Sequence, residues 1–183
     1  MSKPAVRSFT RDQFEKMIAA GIFHPEERLE LIEGSIIKMT PQSSRHAAVV
    51  QLVERALAAA YGDQFSVRVQ MPLGLGSDSE PEPDIAVVTG GPRDYLDAHP
   101  VTAALVVEVA DTSLALDRDR KMRLYARKGI PEYWVLNLVG DVVEVYREAT
   151  GESYRRHSVL RRGDRLPANG PRQSTIDVDD VLP

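Results

Sequence analysis

The sequence predicts one mixed α/β domain, with a central sheet and helices on its faces. Three observations carry this reading. Residues 45–61 place Val49, Val50, Leu52, Val53, Ala56, Leu57 and Ala60 at helical spacing, the mark of a long amphipathic helix. Residues 101–110 form a near-continuous apolar run, as expected of a strand buried on both faces. Short Val-rich runs on either side of it are cut by Gly and Pro, so strands and helices alternate along the chain. The 183 residues suit a single domain over 1–183, with a core from about 9 to 147 and length enough to bury a substantial hydrophobic interior.

Each element has a local cause. Thr10 and Gln13 form a capping-box pattern and Gly21 a stop, so 11–20 reads as a short helix. Residues 29–39 alternate around Gly34 and read as two short strands joined by a turn. The long helix over 45–61 ends near Gly62. Residues 65–73 and 82–88 read as strands joined by the Gly-rich loop 74–79, and Gly90-Gly91-Pro92 breaks the chain before the strand over 101–110. Residues 117–128 read as a helix closed by Gly129 and Pro131. Residues 133–139 and 142–147 make a strand pair around Gly140-Asp141. No element is assigned to the Arg-, Gly- and Pro-rich C-terminal part. No internal repeat and no long linker is visible.

Composition narrows the chemistry. Charged residues are 27% and apolar residues 43%, a globular balance. Cysteine is absent, which excludes disulfides and thiolate metal sites. A metal would need oxygen ligands or the four histidines, and oxygen ligands favour Mg2+, Mn2+ or Ca2+. His24, His99 and His157 show no ligand spacing. No signal peptide and no membrane span is read, so a soluble cytoplasmic protein is the expectation. The net charge of −4 argues against a protein that coats nucleic acid. Two basic clusters stand out: 118–128, with six basic residues and one acid, and Arg155, Arg156, Arg161, Arg162 and Arg165. Each reads equally as solvated surface or as a phosphate track.

The most informative residues are two carboxylates in strand-like runs. Asp84 sits in Pro81-Glu82-Pro83-Asp84-Ile85-Ala86-Val87-Val88, and Glu108 in Leu105-Val106-Val107-Glu108-Val109-Ala110. A carboxylate in such surroundings loses hydration and needs a cation, a donor or a proton. On neighbouring strands the two could share one ion. Lys121 lies on the same helical arc as Leu114, Leu124 and Tyr125, so it points along the buried face, whereas Asp119 and Arg123 point away. A lysine there reads either as a snorkelling side chain or as a group that places the attacking water.

At these residues the chain resembles the PD-(D/E)XK nuclease superfamily, and more closely its large bacterial group of restriction endonuclease-like proteins. The resemblance runs from about Phe9 to Tyr146. It includes Leu29-Glu30-Leu31-Ile32-Glu33-Gly34, His46, Pro83-Asp84, Val106-Val107-Glu108-Val109, Lys121-Met122-Arg123-Leu124-Tyr125-Ala126 and Gly129-Ile130-Pro131-Glu132-Tyr133-Trp134. It implies a restriction endonuclease-like fold and a metal-dependent endonuclease acting on DNA. Asp84, Glu108 and the Val109 carbonyl would hold Mg2+ or Mn2+, with Lys121 at the water; Glu33 reads equally as an additional acid near the metal or as a turn residue before Gly34. One departure matters. The superfamily pattern has lysine two residues after Glu108, where this chain has Ala110, and Lys121 on the following helix takes its place. Asp119-Arg120-Lys121 is rejected as the acid-x-lysine element, because helical residues two apart project about 200° apart. A second departure is Ala110-Asp111-Thr112-Ser113, where relatives carry a serine-proline turn.

The remaining candidates read more simply. Glu30 is expected to face solvent; His46, at a helix start, reads as surface or as a contact to a phosphate or a neighbouring carboxylate, with surface preferred; Glu82 reads as an outer ligand or an exposed strand-edge residue, with the edge preferred. Tyr133 and Trp134 are expected to pack. Cutting both strands of a duplex with one site per chain would favour a two-fold homodimer. The competing expectations are a non-catalytic nucleic-acid-binding or dimer-forming module that keeps the fold, and a hydrolase of RNA or small phosphoesters.

Overall fold

A computed structural model describes residues 6–172 and 174–182. Helix α1 (Arg11–Ala19) starts from the reciprocal bonds between Thr10 and Gln13. Strands β1 (Leu29–Ile32) and β2 (Ser35–Lys38) form an antiparallel hairpin. Its turn puts Glu33 at φ 50° and Gly34 at φ 73°. A Cβ on Gly34 would sit 2.6 Å from Ser8 Cβ, so both the turn and the packing there require glycine. Helix α2 (Ser44–Tyr61) is capped by Ser43, whose Oγ accepts from the His46 N–H at 3.1 Å.

The central sheet has six strands in the order β3 (Phe65–Val69), β4 (Ile85–Thr89), β5 (Leu105–Ala110), β6 (Glu132–Asn137), β7 (Val142–Thr150) and β8 (Ser153–Leu160). All neighbours are antiparallel except β5 and β6. A parallel pair needs a crossover, and here it is helical: α3 (Leu114–Leu116), a π-helical turn (Asp117–Lys121) and α4 (Met122–Arg127). The expected helix at 117–128 thus starts three residues earlier. Strands β9 (Arg165–Pro167) and β10 (Thr175–Asp177) pair by themselves.

Alternation along β5 divides the interior. Leu105, Val107 and Val109 join the core under α2, whereas Val106 and Ala110 join the core with Leu124 and Tyr125 of α4. Glu108 therefore leaves the sheet on the α4 face. Strand β5 is buried along its whole length, as its apolar run predicts.

Several expected boundaries move. The strand over 65–73 stops at Val69, because Gln70 takes a left-handed φ of 50°. The strand over 82–88 begins at Ile85, leaving Asp84 at its mouth. The core does not end near 147. Strand β8 extends the sheet, and Leu166, Ile176, Val178 and Leu182 close the α2 side. No helix among the described residues is long and apolar enough to cross a membrane.

Candidate active site

Extending the β4–β5 ladder one residue beyond Ile85–Val107 puts Asp84 opposite Glu108. Asp84 shares its face with Ala86 and Val88, so both carboxylates leave the sheet on the α4 side. They line one cavity of about 280 Å3 together with Glu30, His46, Asp117 and Lys121. Glu30, Asp84, Glu108 and Lys121 are at most 6% exposed.

Each carboxylate is held differently. Asp84 Oδ1 meets His46 Nε2 at 2.9 Å and accepts from Gln70 Nε2 at 3.2 Å, and Oδ2 accepts from the Val109 N–H at 2.9 Å. Burial pushes its carboxyl up, but His46 and the Val109 and Gln70 donors outweigh burial and hold it below the ordinary aspartate value. Glu108 Oε1 accepts from Lys121 Nζ at 3.1 Å and Tyr125 Oη at 2.9 Å. Its burial is complete enough to raise it well above the usual range despite Lys121, and Asp117, Asp84 and Glu30 add to the rise. Burial likewise pushes Asp117 up to about 6, opposed by Lys121 and the Ser113 hydroxyl. Lys121 is pulled the other way: burial disfavours its charge, yet Glu108, Glu30 and Asp117 together keep the ammonium protonated.

The structure brings Asp84, Glu108 and Lys121 together and separates Glu33 from them. Glu33 stays on the β1–β2 turn, one third exposed, bonded by Arg120 and Arg127. Glu30 takes the inner place instead. It was expected to face solvent, but it is 2% exposed and its Oε2 lies 3.2 Å from Lys121 Nζ. The reason is the hairpin: its Glu30-bearing face turns toward the helical crossover, and the Glu82 N–H donates to Glu30 Oε2 at 3.3 Å. Glu82 itself pairs with Arg28 at 3.4 Å. His46 is not a surface residue either, since its side chain is 12% exposed against Asp84. Asp117 and Gln70 were also missed. Two signals mark His46, its helix-start position beside a Ser-rich loop and its place in the family resemblance; nothing local marks Gln70. Asp119 and Arg123 pair with each other away from the site at 2.7 Å, as their helical phase predicts. Tyr133 and Trp134 are fully buried, and Trp134 Nε1 donates to Glu132 at 2.6 Å.

The basic cluster at 118–128 is not a bare phosphate track. Arg118 pairs with Glu144, Arg120 with Glu33, Lys121 with Glu108, Arg123 with Asp119, Arg127 with Glu152 and Lys128 with Asp78. Every basic residue of that run already has a carboxylate.

A family model named Uma2 and described as "Putative restriction endonuclease" matches residues 11–179. The chain belongs to the Uma2 family. Its fold is also that of a solved protein from Anabaena variabilis ATCC 29413, described as "a putative nuclease belonging to DUF820". That similarity has a TM-score of 0.75 at 16% identity and covers 95% of this chain and 97% of the other. No curated protein matches. The architecture of this Uma2 chain is thus restriction endonuclease-like.

The cavity of this Uma2 chain offers oxygen donors, the class that hard cations take. Four carboxylates, Glu30, Asp84, Glu108 and Asp117, line a cavity whose one buried ammonium is Lys121. Among the described residues no three His, Asp or Glu side chains converge in metal-ligating geometry. Two facing carboxylates match Mg2+, which takes one or two from protein and completes its shell with water and phosphate oxygens.

Proposed function

We propose that this chain is a metal-dependent endonuclease that hydrolyses phosphodiester bonds in DNA, using Mg2+ or Mn2+. The surplus of carboxylates over cations in the Asp84–Glu108 cavity is the observation that carries the proposal. Asp84 and Glu108 would hold the ion, with the Val109 carbonyl beside them as the superfamily resemblance implies. Such an ion neutralises charge on the phosphoryl group and lowers the pKa of a bound water.

The chain's own residues do the rest. Lys121 stays charged, so it acts as a donor that orients the attacking water and faces developing negative charge, not as a base. Glu30 and Glu108 fix its Nζ from two sides at 3.2 and 3.1 Å. The position of Lys121 on the crossover helix supports its standing in for the lysine that Ala110 lacks. His46, Gln70 and the Val109 N–H hold Asp84 as an anion, the form a metal ligand needs. Glu30, and not Glu33, is the additional acid of this proposal. A two-fold homodimer would give one site for each strand of a duplex.

Supercoiled plasmid and single-stranded DNA, incubated with Mg2+, Mn2+ or EDTA, test this reading with wild type beside Asp84→Ala. Metal-dependent nicking confined to the wild type supports it. Equal background in both folded proteins would move the assignment to a non-catalytic module that keeps the fold.

A further inference from the structure

Lys121 stays charged and cannot take a proton, so the hydrolysis proposed above still needs a base. Asp117 is the carboxylate of the cavity without an assignment, since Asp84 and Glu108 face each other and Glu30 holds Lys121 Nζ. It is 1% exposed and opens the π-helical turn that ends at Lys121. The Met122 N–H and the Tyr133 hydroxyl, the latter at 3.1 Å, both donate to its backbone carbonyl and pin that turn. Single π-helical turns recur at functional sites. The Asp117 side chain is held through one oxygen. Ser113 Oγ donates to Oδ2, whereas among the described residues Oδ1 has no hydrogen bond or ion pair. Nor is Oδ1 sealed off from the cavity that Asp117 lines.

The spacing of the acids separates their roles. No three His, Asp or Glu side chains among the described residues converge in metal-ligating geometry, so Asp117 stands off from an ion shared by Asp84 and Glu108. A carboxylate oxygen that is aimed but unpaired, beside the Lys121 that orients the water, is placed to accept a proton. We propose that Asp117 is the general base of phosphodiester hydrolysis, its Oδ1 taking the proton of the attacking water. The inference rests on the nuclease reading and goes beyond it. As the O–H bond of the water breaks toward Oδ1, its oxygen forms a bond to phosphorus. The bond from phosphorus to the leaving sugar oxygen breaks, and that oxygen takes its proton from solvent water. Burial pushes the Asp117 carboxyl up to about 6, within the range that suits a base working near neutral pH.

Steady-state cleavage of a labelled DNA oligonucleotide with Mg2+, from pH 6.5 to pH 9, tests it in the full chain and in Asp117→Asn. Mn2+ affinity is measured by electron paramagnetic resonance on the same preparations. The expected kcat of Asp117→Asn at pH 7 is lower by about 100-fold or more, with Mn2+ affinity within twofold of wild type. The deficit should shrink toward pH 9, because hydroxide needs no base. A kcat within threefold of wild type, a tenfold loss of Mn2+ affinity, or an equal deficit at pH 7 and pH 9 would each overturn the assignment while leaving the nuclease reading in place. Absence of turnover in wild type would instead remove the nuclease reading, and this inference with it. Should Asp117→Asn not fold, Ser113→Ala, which loses the hydrogen bond to Oδ2, carries the same comparison.

Discussion

Asp84 faces Glu108 across adjacent antiparallel strands, on the one sheet face where Lys121 can reach between Glu108 and Glu30. Glu108 is buried there with its carboxyl pushed well above the usual range, a cost that the Lys121 and Tyr125 donors offset only in part. The arrangement therefore predicts a separation of activity from stability. Glu108→Gln keeps the shape and removes a carboxyl whose charged form burial disfavours. It should lower phosphodiesterase turnover about 10³-fold and leave the thermal midpoint equal or higher. Nicking assays and melts on the same preparation check both.

Lys121 makes the opposite prediction. Removing the cation leaves Glu30 and Glu108 buried without their partner, and such a loss costs about 3–5 kcal/mol. Lys121→Met should be strongly destabilised in urea titration near neutral pH. The double variant Glu30→Gln/Lys121→Met should recover part of the loss, because the two residues are in contact. A single variant as stable as wild type would show that the ammonium does not neutralise this cluster.

His46 acts through Asp84. With His46→Ala, Asp84 Oδ1 loses its strongest donor and the carboxylate its fixed orientation. Groups that orient metal ligands typically change affinity by about 10–100-fold. The metal concentration for half-maximal activity should rise by that factor, with little change in thermal midpoint. His46→Asn, which keeps a donor, should restore part of it.

Much of the fold was legible because it rests on local patterns. The Thr10–Gln13 box, the α2 stripe and the β5 apolar run each have a period or a cap that a single sequence displays. The facing of Asp84 and Glu108 follows from their residence on successive strands. What was not legible depends on tertiary placement. Whether Glu30 faces water is decided by where the β1–β2 hairpin docks, and its own alternation cannot say. The C-terminal strands were hidden because β8 is an exposed edge strand rich in Arg, with no apolar alternation to mark it. The basic run at 118–128 read as available charge because its carboxylate partners are distant in sequence, as Glu144 is from Arg118.

Glu80 supplies a pH prediction. Its carboxyl is raised from 4.5 to about 7, first by burial. The folded state therefore favours the protonated form. Its contribution is fully present below pH 4.5 and is lost as pH rises toward 7, by an amount on the order of 1 kcal/mol after solvent screening. Glu80→Gln should gain in thermal midpoint over wild type at pH 8 and lose that gain at pH 4.5. An identical difference at both pH values would contradict the assignment.

The central claim is that Asp84 and Glu108 form one cation site. Mn2+ titration followed by electron paramagnetic resonance, with a short DNA duplex present, tests it in wild type, Asp84→Asn and Glu108→Gln. The account predicts bound Mn2+ in wild type and at least tenfold weaker binding in each variant that retains its circular dichroism spectrum. Equal binding in all three, or none in wild type, would contradict it.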